Sequence, residues 1–274
     1  MSSLANYANK YSFANLERTD GLLEMRFHTN EGPLVWNRQV HRELSDLFAD
    51  VAADLQNRVV IMTGTGDSFC ANIEPFNLPG DLPEQRPGFG QAGIPADIWN
   101  ITYSEGKRLL ANLLEIDVPI IAAINGPALI HAELAVISDI VLAAEHASFS
   151  DVHIKNSIIP GDGAHIIWPM LLGPNRGRYF LMMAETLSAD QALALGVVGE
   201  VVEAGGLMDR AREIANRFLA LPPLVARYSR VATTHHIKRA IHDEIGYGLA
   251  LEGLAQTAGR PPWDPATSIL GELS

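Results

Sequence analysis

The feature that most limits what this chain can fold into is an exchange between two hydrophobic periods, repeated at short intervals. Leu22-Leu23-Glu24-Met25-Arg26-Phe27 alternates as a strand does, and Gln39 to Gln56 then carries apolar residues near helical spacing. Val59-Val60-Ile61-Met62-Thr63 is a β-branched run closed by Gly64. Ser104 to Ile116 returns to the helical period, and Pro119 to Ile124 is strand-like again. A helical turn near Ile130 to Val136 and a strand over Ile140 to Ala143 continue the series. Helices and strands exchanged this closely give an α/β architecture with largely parallel strands.

Past Val202 the strands stop. Leu207 to Leu221 and Leu224 to Gly259 read as helices broken at Pro222-Pro223, so the chain divides into a core over 1–205 and a C-terminal helical module and tail over 206–274. The Pro/Gly-rich segment Leu78 to Pro95 exceeds the usual connection length and reads as a lid or mobile active-site loop. The tail around Gly259-Arg260-Pro261-Pro262-Trp263 reads as irregular.

Charge narrows the partners. Twenty basic against 32 acidic residues leave a net charge of −12, which repels nucleic acid and anionic membrane surfaces. The one cysteine, Cys70, forbids an intrachain disulfide and suits a reducing compartment. The N-terminus lacks the basic start and apolar run of a leader, and no run of about 18 apolar residues occurs. The expectation is a soluble, cytoplasmic protein.

The polar punctuation between the apolar runs is where chemistry would lie. Asn125-Gly126-Pro127-Ala128-Leu129-Ile130-His131-Ala132-Glu133 is followed by Asp151-Val152-His153 and by Pro160-Gly161-Asp162-Gly163. Groups of intermediate pKa placed where strands end are the raw material of a general acid/base site. In His153 with Asp162, a carboxylate would hold one ring nitrogen as a donor, leave the other free to take a proton from water, and steady the imidazolium that forms. Asp162 equally suits an N-cap for a helix over Gly163 to Leu172. His131 reads either as a site residue or as a core histidine, and Trp36 either as a pocket wall or as a core aromatic. Glu252 interrupts an apolar helical stretch, where a carboxylate either faces solvent or reaches into a cavity.

Other chemistries find little support. No G-x-S-x-G elbow, Walker loop or G-x-G-x-x-G fingerprint occurs. Gly66-Asp67-Ser68 and Asp162-Gly163-Ala164-His165 echo a GDS-type serine hydrolase, but at the wrong places in the chain. His235-His236 and His242 lie on a helix, but adjacent histidines point apart and no carboxylate triad accompanies them, so no metal and no other cofactor is expected.

Two stretches, Asn125 to Asp139 and Phe149 to Gly163, together with Gly64-Thr65-Gly66-Asp67-Ser68-Phe69-Cys70-Ala71, resemble the crotonase (enoyl-CoA hydratase/isomerase) superfamily, and the likeness spans roughly 12–255. It implies a spiral core of repeated ββα units with a C-terminal helical oligomerisation module, in trimers or dimers of trimers. It also implies peptide N–H donors near Ala71 and Ile130, and it aligns Glu133 with a hydratase acid. Because helix residues two apart diverge, Glu133 is expected to point away from His131. The chain departs from hydratases at Leu129-Ile130-His131, where a glycine triplet would stand, at His153, where the second glutamate would stand, and at Asp162 in place of a small residue. Those departures, with Trp36, His131, His153, Asp162 and Glu252 all present, resemble the branch of 6-oxocamphor hydrolase and other β-diketone hydrolases. The resemblance implies retro-Claisen cleavage of a small cyclic 1,3-diketone by water, giving a keto acid. An acyl-CoA hydratase or isomerase and a non-catalytic crotonase-like scaffold are the rivals.

Overall fold

The computed structural model describes residues 3–74 and 95–257. The segment read as a lid therefore lies, Pro95 apart, outside the described residues, as does the tail from Gly259. The chain opens with α1 (Leu4–Tyr7), β1 (Ala14–Thr19), β2 (Leu22–Phe27) and β3 (Val35–Trp36), then α2 (Arg38–Ala53), β4 (Val59–Thr63) and β5 (Asn72–Ile73). Next come α3 (Ala96–Leu114), β6 (Ile120–Ile124), α4 (Glu133–Val136), β7 (Ile140–Ala144) and β8 (Ser148–Ser150). After them run α5 (Ala164–Leu172), α6 (Pro174–Met182), β9 (Thr186–Ser188), α7 (Ala189–Ala194), β10 (Glu200–Val202), α8 (Leu207–Leu219) and α9 (Pro223–Thr257).

The main sheet runs β1-β2-β4-β6-β7-β10, antiparallel between β1 and β2 and parallel from β2 onward. The unbroken apolar character of β4, β6 and β7 follows from cover on both faces. Val60, Met62, Ile120, Ala122 and Ile124 join the large core, which also takes in residues of α2, α3, α5 and α9. Val59, Ile61, Ile121, Ala123, Leu142 and Ala144 meet Leu207, Ala211, Ile214 and Ala215 of α8.

The loops at the ends of β4 and β6 are pinned to each other. Asn125 accepts from the Gly64 N–H at 3.0 Å and donates to the Gly66 and Ser68 carbonyls at 3.0 and 3.1 Å. A side chain on Gly126 would strike the Asp67 carbonyl, so this Asn-Gly pair is the join between the two loops.

Helix α3 starts eight residues before the expected Ser104. Its first turns carry Asn100, Thr102 and Ser104, weak helix formers that blur the period, and Trp99 and Tyr103 hold them by packing on Gly253 and Gly246 of α9. Helix α9 is tied down at its other end by buried Arg230, which donates to the Ile116 carbonyl at 2.6 Å and pairs with Asp139. Midway, Gly248 lies against the Gly161 carbonyl and the His165 ring with no room for a Cβ. Gly248→Ala is therefore expected to cost about 1–3 kcal/mol of stability through overpacking and to lower activity by lifting α9 from the 160–165 loop. Thermal denaturation with a parallel activity assay checks this; an unchanged melting temperature would count against a close contact there.

Candidate active site

Three loops and two helices converge on a buried polar cluster. The loop after β6 delivers His131, whose φ of +48° turns the chain sharply into α4. A left-handed residue here places the imidazole back toward the first carboxylate of that helix: His131 Nδ1 lies 2.7 Å from Glu133 Oε1. The expectation that Glu133 points away from His131 is thus corrected, because the two-residue rule holds only within a helix and His131 precedes one.

Asp162 joins the two histidines. Its Oδ2 is 3.3 Å from His131 Nδ1 and 3.2 Å from His153 Nε2. The N-cap alternative for Asp162 fails: α5 is preceded by Gly163 at φ +125°, with no side-chain cap. His153 and Asp162 meet as expected, but a second carboxylate faces the other ring nitrogen. Both oxygens of Asp151 are 3.0 Å from His153 Nδ1, and Oδ1 also accepts the His153 peptide N–H at 3.1 Å. Asp151, not Asp162, therefore sets the Nδ1 side of the ring. The Asp-x-His spacing carried that signal, since an aspartate readily accepts from the peptide two residues on.

These contacts decide the protonation pattern. Burial opposes charge on His153, but Asp162 and Asp151 outweigh it and hold the imidazole well above the usual histidine range. Burial likewise opposes charge on His131, and Glu133 with Asp162 reverses the balance upward. For Asp162, burial pushes upward while His153 and His131 pull the carboxyl below its ordinary value. Glu133, fully enclosed, is raised by burial despite His131. The cluster is a chain of alternating charge, Asp151, His153, Asp162 and His131, ending at Glu133.

Glu252 reaches this cluster from α9. It is buried, and its Cβ would lie 2.9 Å from a Cβ placed on Gly161, the residue before Asp162. Burial first, and then the Asp162 charge, push its carboxyl up to about 8. Oε2 of Glu252 and Oδ1 of Asp162 are buried with no hydrogen-bond partner among the described residues.

Trp36 is fully buried, with its ring centroid 4.1 Å from that of His131 at 35°. The pairing of β3 with β5 places it beside the Ala71 loop. Ile130 departs from expectation: its peptide N–H is already bonded to the Cys70 carbonyl at 3.1 Å, whereas that of Ala71 makes no hydrogen bond among the described residues. Only one of the two expected peptide donors is therefore available.

Ser68 is buried after β4, and its Oγ has no partner among the described residues, hence no adjacent histidine base. Among the described residues, His131, Glu133 and Asp162 form the one group with metal-ligand spacing, their atoms within 4.8 Å of one another. A cation there would have to displace imidazole contacts that already balance these carboxylates, so the arrangement fits proton handling better.

The sequence reading missed His41 and Glu105. His41 lies one turn into α2, on the apolar face with Val40, Leu44 and Phe48, 6.2 Å from Trp36 and 6.3 Å from His131 between ring centroids. A histidine in an otherwise apolar stripe was the available signal.

The chain has an α/β fold with a buried cluster of histidines and carboxylates, the residue types that handle protons in enzymes. The sequence matches the enoyl-CoA hydratase/isomerase family over residues 17–247, and the chain belongs to that family, the crotonase superfamily. Among solved structures it is similar to a β-diketone hydrolase from the cyanobacterium Anabaena sp. PCC 7120, bound to (S)-3-oxocyclohexyl acetic acid. The two share 46% identity with a TM-score of 0.85, over 92% of this chain and 97% of the other. An enoyl-CoA hydratase/isomerase from Mycobacterium paratuberculosis, 22% identical, shares the fold with a TM-score of 0.77 over 90% of this chain and 94% of the other. Carnitinyl-CoA dehydratase of Citrobacter koseri is 31% identical over 215 residues, covering 75% of this chain and 73% of the relative. None of the described helices is long and apolar enough to cross a membrane.

Proposed function

We propose that this enzyme is a β-diketone hydrolase, cleaving a carbon–carbon bond of a cyclic 1,3-diketone by a retro-Claisen reaction with water. The observation that carries the reading is the continuous run Asp151–His153–Asp162–His131 at positions where a hydratase would present a glutamate and a small residue. The Anabaena relative supports it.

In this reading Asp162 Oδ1 accepts one O–H of the attacking water, and the His153/Asp162 unit takes the proton. The hydroxide oxygen bonds to one ketone carbon. The adduct then collapses, breaking the carbon–carbon bond to give a carboxylic acid and the enolate of the remaining ketone. His131, stacked on Trp36, and the Ala71 peptide N–H bind the developing oxyanions. Glu252, neutral near pH 7, gives its proton to the enolate carbon and is reprotonated from the imidazolium, so one water supplies both the hydroxyl of the acid and the hydrogen on carbon.

The substrate is a neutral small molecule, in keeping with the buried Trp36 ring that lies against His131. The protein acts as a trimer or dimer of trimers in the cytoplasm, with the exposed Met170, Tyr179 and Met182 of α5 and α6 as apolar surface for subunit contact.

The test is a substrate panel. Purified protein incubated with five- to seven-membered and bicyclic 1,3-diketones is expected to remove the enolate absorbance and form one keto acid per turnover. Crotonyl-CoA and carnitinyl-CoA are expected to be inert. Turnover of the thioesters alone would favour a hydratase, and inactivity toward every compound a binding scaffold.

A further inference from the structure

The loop that carries Asp162 is closed by a side chain for which the reaction has no use. His165, the second residue of α5, meets the Pro160 carbonyl twice, through its peptide N–H at 3.1 Å and through ring Nδ1 at 3.1 Å. The same ring lies against α9, where a Cβ placed on Gly248 would strike His165 Cε1 and Nε2. We propose that His165 is a positioning residue of the active site, its ring clamping the turn from Pro160 to Gly163 so that Asp162 stands between His131 and His153 with Glu252 beside it. Only the activity readout below rests on the hydrolase reading.

Asp162 needs a clamp because it does not hold its own turn. Its Oδ2 is committed to His131 and His153, its side chain does not cap α5, and its peptide N–H makes no hydrogen bond among the described residues. Glycine stands on either side. A side chain on Gly161 would strike the Gly248 carbonyl, and one on Gly163, at φ +125°, would strike Leu110 of α3. Glycine permits these close approaches but gives the free turn its widest conformational range, so neighbours must hold the geometry. The two hydrogen bonds from His165 to Pro160 join the ends of the turn. Asp162 lies 3.2 and 3.3 Å from its two imidazoles, close to hydrogen-bond length, so a looser turn weakens both contacts at once.

The ring makes a directed contact and not only a packed one. A carbonyl oxygen can only accept, so Nδ1 carries hydrogen. Nε2 is buried with no hydrogen-bond partner among the described residues, and a hydrogen there would be a buried donor without an acceptor. The tautomer with hydrogen at Nδ1 and a lone pair at Nε2 fits both nitrogens. Glu252 lies one turn along α9 from Gly248, and its Cβ would be 2.9 Å from a Cβ placed on Gly161. The His165 ring thus sits at the seam where the loop of Asp162 meets the helix of Glu252, and both carboxylates depend on it for their places.

The clamp can be read without substrate. In protein labelled with ¹⁵N-histidine, with the resonances assigned from single histidine variants, long-range ¹H–¹⁵N correlation is expected to show His165 protonated at Nδ1 and bare at Nε2. Two variants separate the hydrogen bond from the packing: His165→Leu keeps apolar bulk against Gly248 and loses the donor, whereas His165→Asn loses bulk and keeps an N–H at the Nδ1 position. The proton affinity of His153, followed in the same spectra, should fall in His165→Leu by on the order of one pKa unit, the low end of what an adjacent opposite charge contributes, and stay near the parent in His165→Asn. On a diketone that the panel identifies, kcat/KM should fall roughly ten- to a hundredfold in His165→Leu, the scale of a site group misplaced by about 1 Å, and largely recover in His165→Asn. A purely structural role would lower the melting temperature of both variants and leave the His153 titration where it is. A wild-type ring bare at Nδ1, a His153 titration unmoved by His165→Leu, or a His165→Asn no better than His165→Leu would overturn the proposal. If His165→Leu does not fold, the wild-type tautomer and the His153 titration in His165→Asn still decide the matter. A His153 shift in a protein inert to every diketone would count against the hydrolase reading and leave His165 as the residue that positions Asp162.

Discussion

Asp162→Asn is expected to lower kcat/KM by about three to four orders of magnitude, the scale seen when a carboxylate is removed from a histidine-based catalytic unit. Asp162 contacts both His131 and His153, so its loss removes the shared counter-charge and not merely one hydrogen bond. In the parent, activity should rise with pH as His153 loses its proton, on a limb above the ordinary histidine value because the aspartates hold that proton. In Asp162→Asn the limb should move to lower pH while the plateau falls. An unmoved limb would mean that another group titrates. Because the pair acts as a unit, His153→Ala/Asp162→Asn should lose little more than the worse single variant; multiplicative losses would argue for independent roles.

The stability of the single variant Asp162→Asn should depend on pH with a definite sign. The folded pKa of His153 is raised, so its contribution is complete below the unfolded value of about 6.5 and fades as pH rises through the folded value. Removing Asp162 leaves two buried imidazoles short of a partner. The deficit should be largest at pH 5 to 6, on the order of 3–5 kcal/mol as for a broken buried ion pair, and shrink toward alkaline pH. Urea denaturation at several pH values measures it.

Glu252→Gln should produce an opposite stability effect together with a large loss of rate. The carboxyl is pushed up to about 8, chiefly by burial. Folding therefore takes up a proton between roughly pH 4.5 and 8, and across that window stability falls by up to about 1.4 kcal/mol per pH unit as pH rises. A glutamine does not titrate. The variant should be the more stable protein at pH 8 and show a flatter stability profile. In the parent, kcat should decline on an alkaline limb near 8 as the proton donor is lost; the variant should lack that limb and run about 10²–10⁴-fold slower, the usual weight of general acid catalysis. A variant with parental kcat would remove Glu252 from the proton path. An unchanged stability profile would show that the carboxyl is hydrated.

By itself the sequence determined the layers and the list of chemical parts. The runs that became β4, β6 and β7 had to be strands because only cover on both faces suits unbroken β-branched and small apolar residues. His131, His153, Asp162, Glu252 and Trp36 were legible as ionisable or aromatic residues at loop ends or in apolar stretches, and most fall within one buried cluster. Tertiary structure decided which groups pair. The left-handed turn at His131 put Glu133 on its ring, where helix periodicity alone would have parted them. Asp151 claimed the His153 nitrogen meant for another carboxylate, since which of two nearby aspartates faces Nδ1 depends on ring orientation and not on spacing. Contacts of long sequence separation decided the rest: α3 brought Glu105 to His41 across 64 positions, and the Gly161–Gly248 approach carried Glu252 to Asp162. Proton affinities in a buried site depend on charges a few ångströms away, and those distances exist only once the chain has folded.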